Sequence, residues 1–272
     1  MNEECPLILV VNDDGIMSPG LHATIEVGLM LGEVLVVAPA GQQTAMGRSR
    51  PSGPTIGIIN PIELDIQGKP QPAYAVEGSP ALCVAHALCE LTPQKPDLCL
   101  SGINYGENIG YSVTASGTLG AALEASSFDI PAIAASIGTP LSMTHASEYA
   151  ELDWTAAKAH LHALAKTVLA RGMPDGVAVL NLNVPSDATP QTEQRVTSLS
   201  TQNYYVFDYV GPDARDYSQA HRLSEHRVDD RELFEPDSDV YGFVFDGIVS
   251  ITPIARKLSA PLQGVSAWAQ GD

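Results

Sequence analysis

Basic residues are scarce in this sequence, and their scarcity argues against one broad class of function. The 272-residue chain has 14 Lys and Arg against 32 Asp and Glu, a formal net charge of −18. A surface this negative repels the phosphates of a nucleic-acid backbone, so stable nucleic-acid binding is disfavoured. A small anionic substrate would meet the same repulsion. Its site therefore needs positive charge from elsewhere, and a metal ion is the natural source.

Cysteines and long apolar runs are also few. The four cysteines form no C-x-x-C pair, and three of them, Cys83, Cys89 and Cys99, lie in apolar segments that predict buried thiols. The first residues are acidic where a signal peptide needs basic ones, and no apolar run is long enough to span a membrane. We therefore expect a cytoplasmic protein that does not bind a membrane.

The first two-thirds of the sequence alternates short apolar runs with helical stretches. The dipeptides Ser18-Pro19 and Ser79-Pro80 each offer a helix start, and an Ala-rich helix is predicted from about Ser147 to Arg171. This alternation predicts an α/β fold, a Rossmann-like, mainly parallel sheet with helices on both faces. The strands are predicted at residues 7–11, 34–38, 97–100, 130–136 and 177–182.

Two stretches depart from this alternation. A catalytic core over residues 1–200 is expected to include a hairpin excursion at about residues 45–75, which are rich in Gly, Pro and alternating apolar residues. Residues 201–272 are expected to form a C-terminal unit, with a β-rich arm, a return strand at 248–252 and a tail.

The arm, residues 202–239, is polar but rich in aromatics, without an evident local core. Exposed aromatics often mark an interface, which predicts a homodimer or homotetramer held by this arm. A disordered surface loop is the alternative. The aromatic residues are Tyr204, Tyr205, Phe207, Tyr209 and Phe234.

Polar side chains follow three of the predicted strands. Asp13 and Asp14 follow the first strand, Thr44 lies in the loop after the second, and Asn104 follows the third. Ligands of an open α/β sheet bind at the carboxyl ends of its strands, where these residues would converge. An all-oxygen set of this kind suits Mg²⁺ or Mn²⁺. The alternative is that Asp14-Gly15 is an ordinary turn, which the dipeptide alone would favour.

A second candidate site precedes the helix predicted near residue 118. Ser116, Gly117 and Thr118 would place two hydroxyls and backbone N–H groups at a helix N-terminus, which favours an anion such as phosphate. The same tripeptide is equally typical of an ordinary N-cap. The phosphate-binding P-loop and the G-x-G-x-x-G motif are both absent, and no Ser-His-Asp set can be assembled.

Several motifs together resemble the SurE survival-protein family over nearly the whole chain. They are Val11-Asn-Asp-Asp-Gly-Ile16, Val36-Val-Ala-Pro39, Gly78-Ser-Pro-Ala-Leu-Cys-Val84, Ser101-Gly-Ile-Asn104 with Gly106, Asn108 and Gly110, Ala115-Ser-Gly-Thr118, Leu180-Asn-Leu-Asn-Val-Pro185 and Val249-Ser-Ile-Thr-Pro253. Two positions depart from the family pattern, because Thr44 stands where the family usually has Ser and Ala115 where it usually has Tyr.

The resemblance implies a phosphatase that hydrolyses nucleoside 5′- and 3′-monophosphates with one Mg²⁺ or Mn²⁺ per subunit. The implied metal ligands are Asp13, Asp14, Thr44 and Asn104. The implied phosphate contacts are Asn104, Asn108, Ser116, Gly117 and Thr118. Asp13, Asp14 and Asn104 are the implied catalytic residues, with a metal-activated water attacking phosphorus.

Two rival interpretations stay open. One is a nucleotide-binding or regulatory protein with the same fold and no turnover. The other is phosphotransfer in which an Asp attacks phosphorus, although that chemistry usually places two acids one residue apart rather than adjacent.

Overall fold

The computed structural model describes residues 5–140, 149, 151–211, 216–220 and 223–259. The strands are β1 (Leu7–Val11), β2 (Glu33–Pro39), β3 (Ile59–Ile66), β4 (Lys69–Val76), β5 (Leu98–Tyr105), β6 (Ala132–Ile137), β7 (Val177–Val184), β8 (Gln194–Val196), β9 (Tyr205–Phe207), β10 (Glu225–Arg227) and β11 (Val249–Ala255). The α-helices are α1 (Pro19–Leu31), α2 (Pro80–His86), α3 (Gly117–Ser127) and α4 (Thr155–Arg171).

A nine-stranded sheet forms the centre of the molecule, in the order β3-β4-β2-β1-β5-β6-β7-β11-β8. The strands from β4 to β7 in this order are all parallel, whereas β3 and β11 pair antiparallel with their neighbours β4 and β7. The predicted α/β class with a mainly parallel sheet is therefore confirmed. Every carboxyl end from β4 to β7 lies at the same edge of the sheet, which is where the candidate residues are found.

Helices cover both faces of the sheet because the parallel strands are apolar on both. Ile8 and Val10 of β1 pack into one core with α1 and α4, and Leu9 and Val11 pack into a second core with α2 and α3. All four of these side chains are fully buried. The continuous apolar run in the sequence thus marks a strand buried between two layers.

The two predicted serine caps behave differently. The Ser79 hydroxyl accepts a hydrogen bond from the Leu82 backbone N–H at 3.2 Å and caps α2. The Ser18 side chain makes no capping bond at the start of α1, and its buried hydroxyl has no partner. Helix α4 begins at Thr155, later than the predicted start near Ser147, which lies outside the described residues.

The predicted hairpin is present in the structure, whereas the prediction of three buried cysteines holds for two of them. Within residues 45–75 the chain forms the β3–β4 hairpin, and because β4 pairs with β2 the hairpin extends the main sheet. Cys83 and Cys99 are buried as predicted, but the prediction for Cys89 is wrong, because the wider π-helical turn Ala87–Leu91 that follows α2 places it at the surface.

The C-terminal arm contains an antiparallel pair, β9 and β10, as predicted. The expectation that its aromatics lack a local core is wrong for Tyr204 and Phe234, which are buried against Ile109, Val240 and Phe243. This small cluster packs the arm on the loop that follows β5. Among the described residues, no helix is long and apolar enough to cross a membrane.

Candidate metal and phosphate site

Asp13 and Asp14 lie directly beyond the carboxyl end of β1 and are only 4% and 3% exposed. Gly15 then turns the chain with φ of +101°, where a Cβ would lie 3.0 Å from the Gly41 carbonyl carbon. The Gln43 backbone N–H donates to the Asp13 carbonyl oxygen at 2.7 Å. These contacts hold the loop after β2 against the two aspartates, and they bring Thr44 into the same site.

Strand β5 contributes Asn104 from the neighbouring position in the sheet. The Asn104 amide nitrogen donates to the carbonyl oxygens of Gly106 at 2.7 Å and Tyr105 at 3.3 Å. Because that nitrogen is committed to backbone carbonyls, the carboxamide oxygen is the atom available to a ligand. The Tyr105 backbone N–H donates to the Asp14 carboxylate at 3.1 Å, which fixes Asp14 relative to Asn104.

The N-terminus of α3 packs directly on Asp13. The Thr118 hydroxyl donates to the Asp13 carboxylate at 2.6 Å, and a Cβ on Gly117 would lie 2.8 Å from the same carboxylate. Glycine is therefore needed at position 117 for this close approach. The Ser116 hydroxyl caps the helix by accepting from the Leu119 backbone N–H at 3.1 Å.

Asn108 is held by polar residues that sequence reasoning gave no role. Its side-chain amide donates to the Ser136 hydroxyl at 2.9 Å, and its backbone carbonyl accepts from the amides of Asn181 and Asn183 at 2.8 and 3.1 Å. The signal for these residues was present in the sequence, because a polar side chain in an apolar, doubly buried strand is costly unless it is bonded.

The two aspartates are electrostatically unfavourable as free carboxylates. Burial raises the pKa of Asp13 from 3.8 to about 6, while hydrogen bonds from Thr118 act in the opposite direction. Burial raises the pKa of Asp14 well above its usual value, and the neighbouring charge of Asp13 raises it further. Within the described residues, no Lys, Arg or His forms an ion pair with either carboxylate.

This donor set fits a hard divalent cation. A divalent cation would neutralise the two buried carboxylates, which pair with no protein cation among the described residues. The remaining donors are neutral oxygens. Over the described ranges, no three His, Cys, Asp or Glu side chains come together to hold a metal ion, so no metal site built from His and Cys is found there.

A cavity of about 560 Å³ opens above the aspartates. Six of the predicted site residues line it, whereas Gly117 and the fully buried Thr118 lie behind its wall. The hydroxyl and the backbone N–H of Thr118 both donate to Asp13. The lining also includes residues that the sequence did not assign to this site. The predicted residues on the wall are Asp13, Asp14, Thr44, Asn104, Asn108 and Ser116, and the others include Glu107, Tyr111, Asn203, Tyr205, Val206, Phe207 and Glu225.

The arm forms the far wall of this cavity and is held to the core by one buried ionic contact. Arg227 of β10 pairs with the Glu107 carboxylate at 2.7 Å, and the Tyr205 hydroxyl donates to the same carboxylate at 2.7 Å. Arg227 also donates to the Thr139 carbonyl oxygen at 2.5 Å. Glu107 is only 5% exposed, so this contact ties the arm to the loops after β5 and β6 in a water-poor environment.

A larger cavity, of about 630 Å³, lies between α1, α4 and the β3–β4 turn. Its Lys158 and Glu26 side chains pair with each other at 2.7 Å. Because these charges satisfy each other rather than converging on the cavity, the 560 Å³ cavity is the candidate site.

Comparison with known proteins decides the family. Residues 8–206 match the family model described as survival protein SurE. The chain belongs to the SurE family. It is 37% identical over 256 residues to 5′-nucleotidase SurE of Thermococcus kodakarensis, covering 93% of each chain. It is 39% identical over 263 residues to 5′-nucleotidase SurE of Methanothrix thermoacetophila, covering 93% of this chain and 94% of that one.

A solved structure of the SurE family has the same fold. The crystal structure of the SurE protein from Aquifex aeolicus matches with a TM-score of 0.75 and 28% identity. The match covers 98% of this chain and 100% of that chain.

Proposed function

We propose that this SurE-family chain is a metal-dependent phosphatase that hydrolyses nucleoside 5′- and 3′-monophosphates to nucleoside and phosphate. The observation that carries the proposal is the buried Asp13–Asp14 pair, which has no partner cation among the described residues and opens into a cavity of ligand size. The relatives named 5′-nucleotidase SurE support the same reaction.

We propose that Asp13, Asp14, Thr44 and Asn104 hold one Mg²⁺ or Mn²⁺. When bound, such a dication supplies positive charge to the phosphoryl oxygens and lowers the pKa of water. This chain needs that charge because its own surface is strongly acidic.

The side chains around the cavity then have separate roles. Asn108 and Ser116 would hold phosphoryl oxygens, aided by backbone N–H groups at the N-terminus of α3. The phosphate contact expected of Asn104 would require its amide nitrogen to leave the Tyr105 and Gly106 carbonyl oxygens. Gly117 allows the close approach of the helix, and Thr118 orients Asp13 rather than lining the cavity. The phosphate contact expected of Thr118 would therefore require its hydroxyl to leave Asp13.

Hydrolysis replaces one bond to phosphorus with another. A water oxygen bonds to phosphorus as the bond from phosphorus to the ribose oxygen breaks, and the ribose oxygen takes up a proton. We propose that Asp13 or Asp14 accepts the proton of the attacking water. Because no carboxylate attacks phosphorus in this scheme, acid-quenched single turnovers with ³²P-labelled nucleotide should leave no ³²P on the protein.

Phosphate release from a panel of nucleoside monophosphates tests the function. We expect release with Mg²⁺ or Mn²⁺, none with EDTA, and recovery when metal is restored. Tight nucleotide binding without any release would favour a regulatory protein instead. Protein-bound ³²P that forms and decays within one turnover would favour the covalent alternative.

We also propose that the chain assembles as a homodimer or homotetramer through its arm. Tyr209 is 90% exposed, which is unfavourable for an aromatic side chain without a partner. Light scattering at micromolar concentration should give a mass of two or four chains. A monomer alone would contradict this proposal and leave the catalytic one untouched.

A further inference from the structure

Two large aromatic side chains face the 560 Å³ cavity with most of their surface uncovered. Tyr111 is 59% exposed and Phe207 is 62% exposed, and both line the cavity together with Asp13 and Asp14. Tyr111 lies in the 3₁₀ turn that ends just before Ser116, and Phe207 is the last residue of β9. The cavity therefore has an anion-binding end in the core and an aromatic side formed jointly with the arm.

We propose that Tyr111 and Phe207 form the binding platform for the nucleobase, and that they set a preference for nucleotides over other phosphate monoesters. This inference rests on the proposed function, because it assigns the part of the site that would hold the rest of the substrate.

Packing does not account for these two rings. Three other aromatics of the arm pack on one another, since Tyr204 lies 4.9 Å from Tyr205 and 6.4 Å from Phe234 between ring centroids. Neither Tyr111 nor Phe207 makes a ring–ring contact in the part of the chain that the structure describes. Their apolar faces are therefore left available to a ligand.

The two walls that carry the rings are fixed to each other. The Tyr111 backbone N–H donates to the Gln202 carbonyl oxygen at 3.2 Å, and the Gly110 backbone N–H donates to the Asp239 carboxylate at 3.0 Å. The Tyr205 hydroxyl anchors β9 to Glu107, two residues before Phe207. A ligand would thus meet two rings whose backbone segments are already held together, which reduces the conformational entropy lost on binding.

The surroundings of the rings match a base better than an aliphatic group. A base has two π faces that stack on aromatic side chains and a polar edge that needs hydrogen bonds. Ala45 and Ala115 leave room in the same cavity, and Ser112 and Asn203 offer polar groups along it. Because a purine covers more ring surface than a pyrimidine, we expect purine nucleotides to be preferred.

Steady-state kinetics with 5′-AMP and ribose 5-phosphate test the platform, since ribose 5-phosphate carries a C1 hydroxyl where 5′-AMP carries the base. We expect wild-type kcat/KM to be at least about 10-fold higher for 5′-AMP. Tyr111→Ala and Phe207→Ala should each lower kcat/KM for 5′-AMP by about 5- to 150-fold, mainly through KM, and leave ribose 5-phosphate unchanged. Tyr111→Phe keeps the ring and should retain most activity, and Leu233→Ala, an exposed apolar residue elsewhere in the arm, should have no effect.

Three outcomes would overturn the platform. They are equal wild-type activity on both substrates, unchanged 5′-AMP kinetics in the alanine variants, and an equal loss on both substrates, which would show a merely structural role. Saturation-transfer NMR with adenosine in metal-free buffer separates this inference from the proposed function, because it needs no hydrolysis. Adenosine contacts that disappear in the Tyr111→Ala/Phe207→Ala double variant would support the platform even if no nucleotide were hydrolysed, and contacts that persist would refute it.

Discussion

The two sides of the candidate site are built in contrasting ways. The core side lies on the ends of long, doubly buried strands, and Asp13 is held by Thr118 and Asp14 by the Tyr105 backbone N–H. The arm side consists of two three-residue strands that rest on a small aromatic cluster and one buried ionic contact, Glu107–Arg227. The core is therefore suited to hold reacting groups rigidly, and the arm to hold the variable part of a substrate.

The largest expected effect comes from the core side. We predict that Asp14→Asn and Asp13→Asn each lower kcat by about 10³-fold or more, because each removes charge that the metal needs. Phosphate release from 5′-AMP at saturating metal measures this loss. Glu63→Gln, which alters an exposed acid on β3, should be as active as wild type. Equal activity in all three variants would contradict the assignment of the aspartates.

A smaller loss is expected for the carboxamide beside them. Asn104→Ala should lower kcat by about 10²-fold if the carboxamide oxygen helps to hold the metal beside the aspartates. The matched control is Asn60→Ala, at an exposed position of β3. A change confined to KM, with kcat unchanged, would make Asn104 a residue that binds substrate rather than one that acts in the transition state.

The arm should respond differently. Glu107→Gln removes the carboxylate that Arg227 and Tyr205 share, so we expect kcat/KM for 5′-AMP to fall by about 10-fold, less than for the core variants. Amide hydrogen exchange should rise in β9 and β10 and stay unchanged in β1 and β5. Arg231→Met, which breaks exposed contacts with Asp246 and Tyr241, is the control and should do neither. Faster exchange throughout the sheet would show that the arm and core unfold as one unit.

The last effect concerns stability and pH rather than turnover. The folded pKa of Asp13, about 6, is higher than its usual 3.8, so the folded state binds this proton more tightly than the unfolded state. Metal-free protein should therefore lose stability as pH rises from about 4 to above 6, by about 3 kcal/mol from this residue. Thermal unfolding across this pH range measures the loss, and Asp13→Asn should make the curve less steep without flattening it, because burial also raises the pKa of Asp14. A metal-free protein that gains stability over the same range would contradict the assigned cause.

The fold could be predicted largely from the sequence because buried parallel strands leave a direct signal. The apolar run Leu7–Val11 and the Ser79-Pro80 start of α2 reappear in the structure. The same logic placed Asp13 and Asn104 at one edge of the sheet, since the carboxyl ends of parallel strands share that edge, and the structure pairs β1 with β5. The strand and the helix start follow from the local sequence pattern, and the position of the two site residues follows from the topology of a parallel sheet.

Contacts between distant segments could not be predicted in this way. Glu107 and Arg227 are 120 positions apart, and neither a motif nor a period connects them. Burial of Tyr204 and Phe234 depends on the loop that carries Ile109, so a polar, aromatic stretch gave the wrong expectation of an arm without a core. The commitment of Thr118 to Asp13 likewise needs the packing of α3 against β1.

Manganese binding followed by electron paramagnetic resonance tests the link between the aspartate pair and the reaction most directly. The loss of the free Mn²⁺ signal during a titration gives the number of ions bound, and phosphate release from 5′-AMP can be measured on the same samples. We predict one Mn²⁺ per chain, activity that rises in parallel with occupancy, and loss of both in Asp14→Asn. Full activity in metal-free wild-type protein, or unchanged Mn²⁺ binding in Asp14→Asn, would contradict this account.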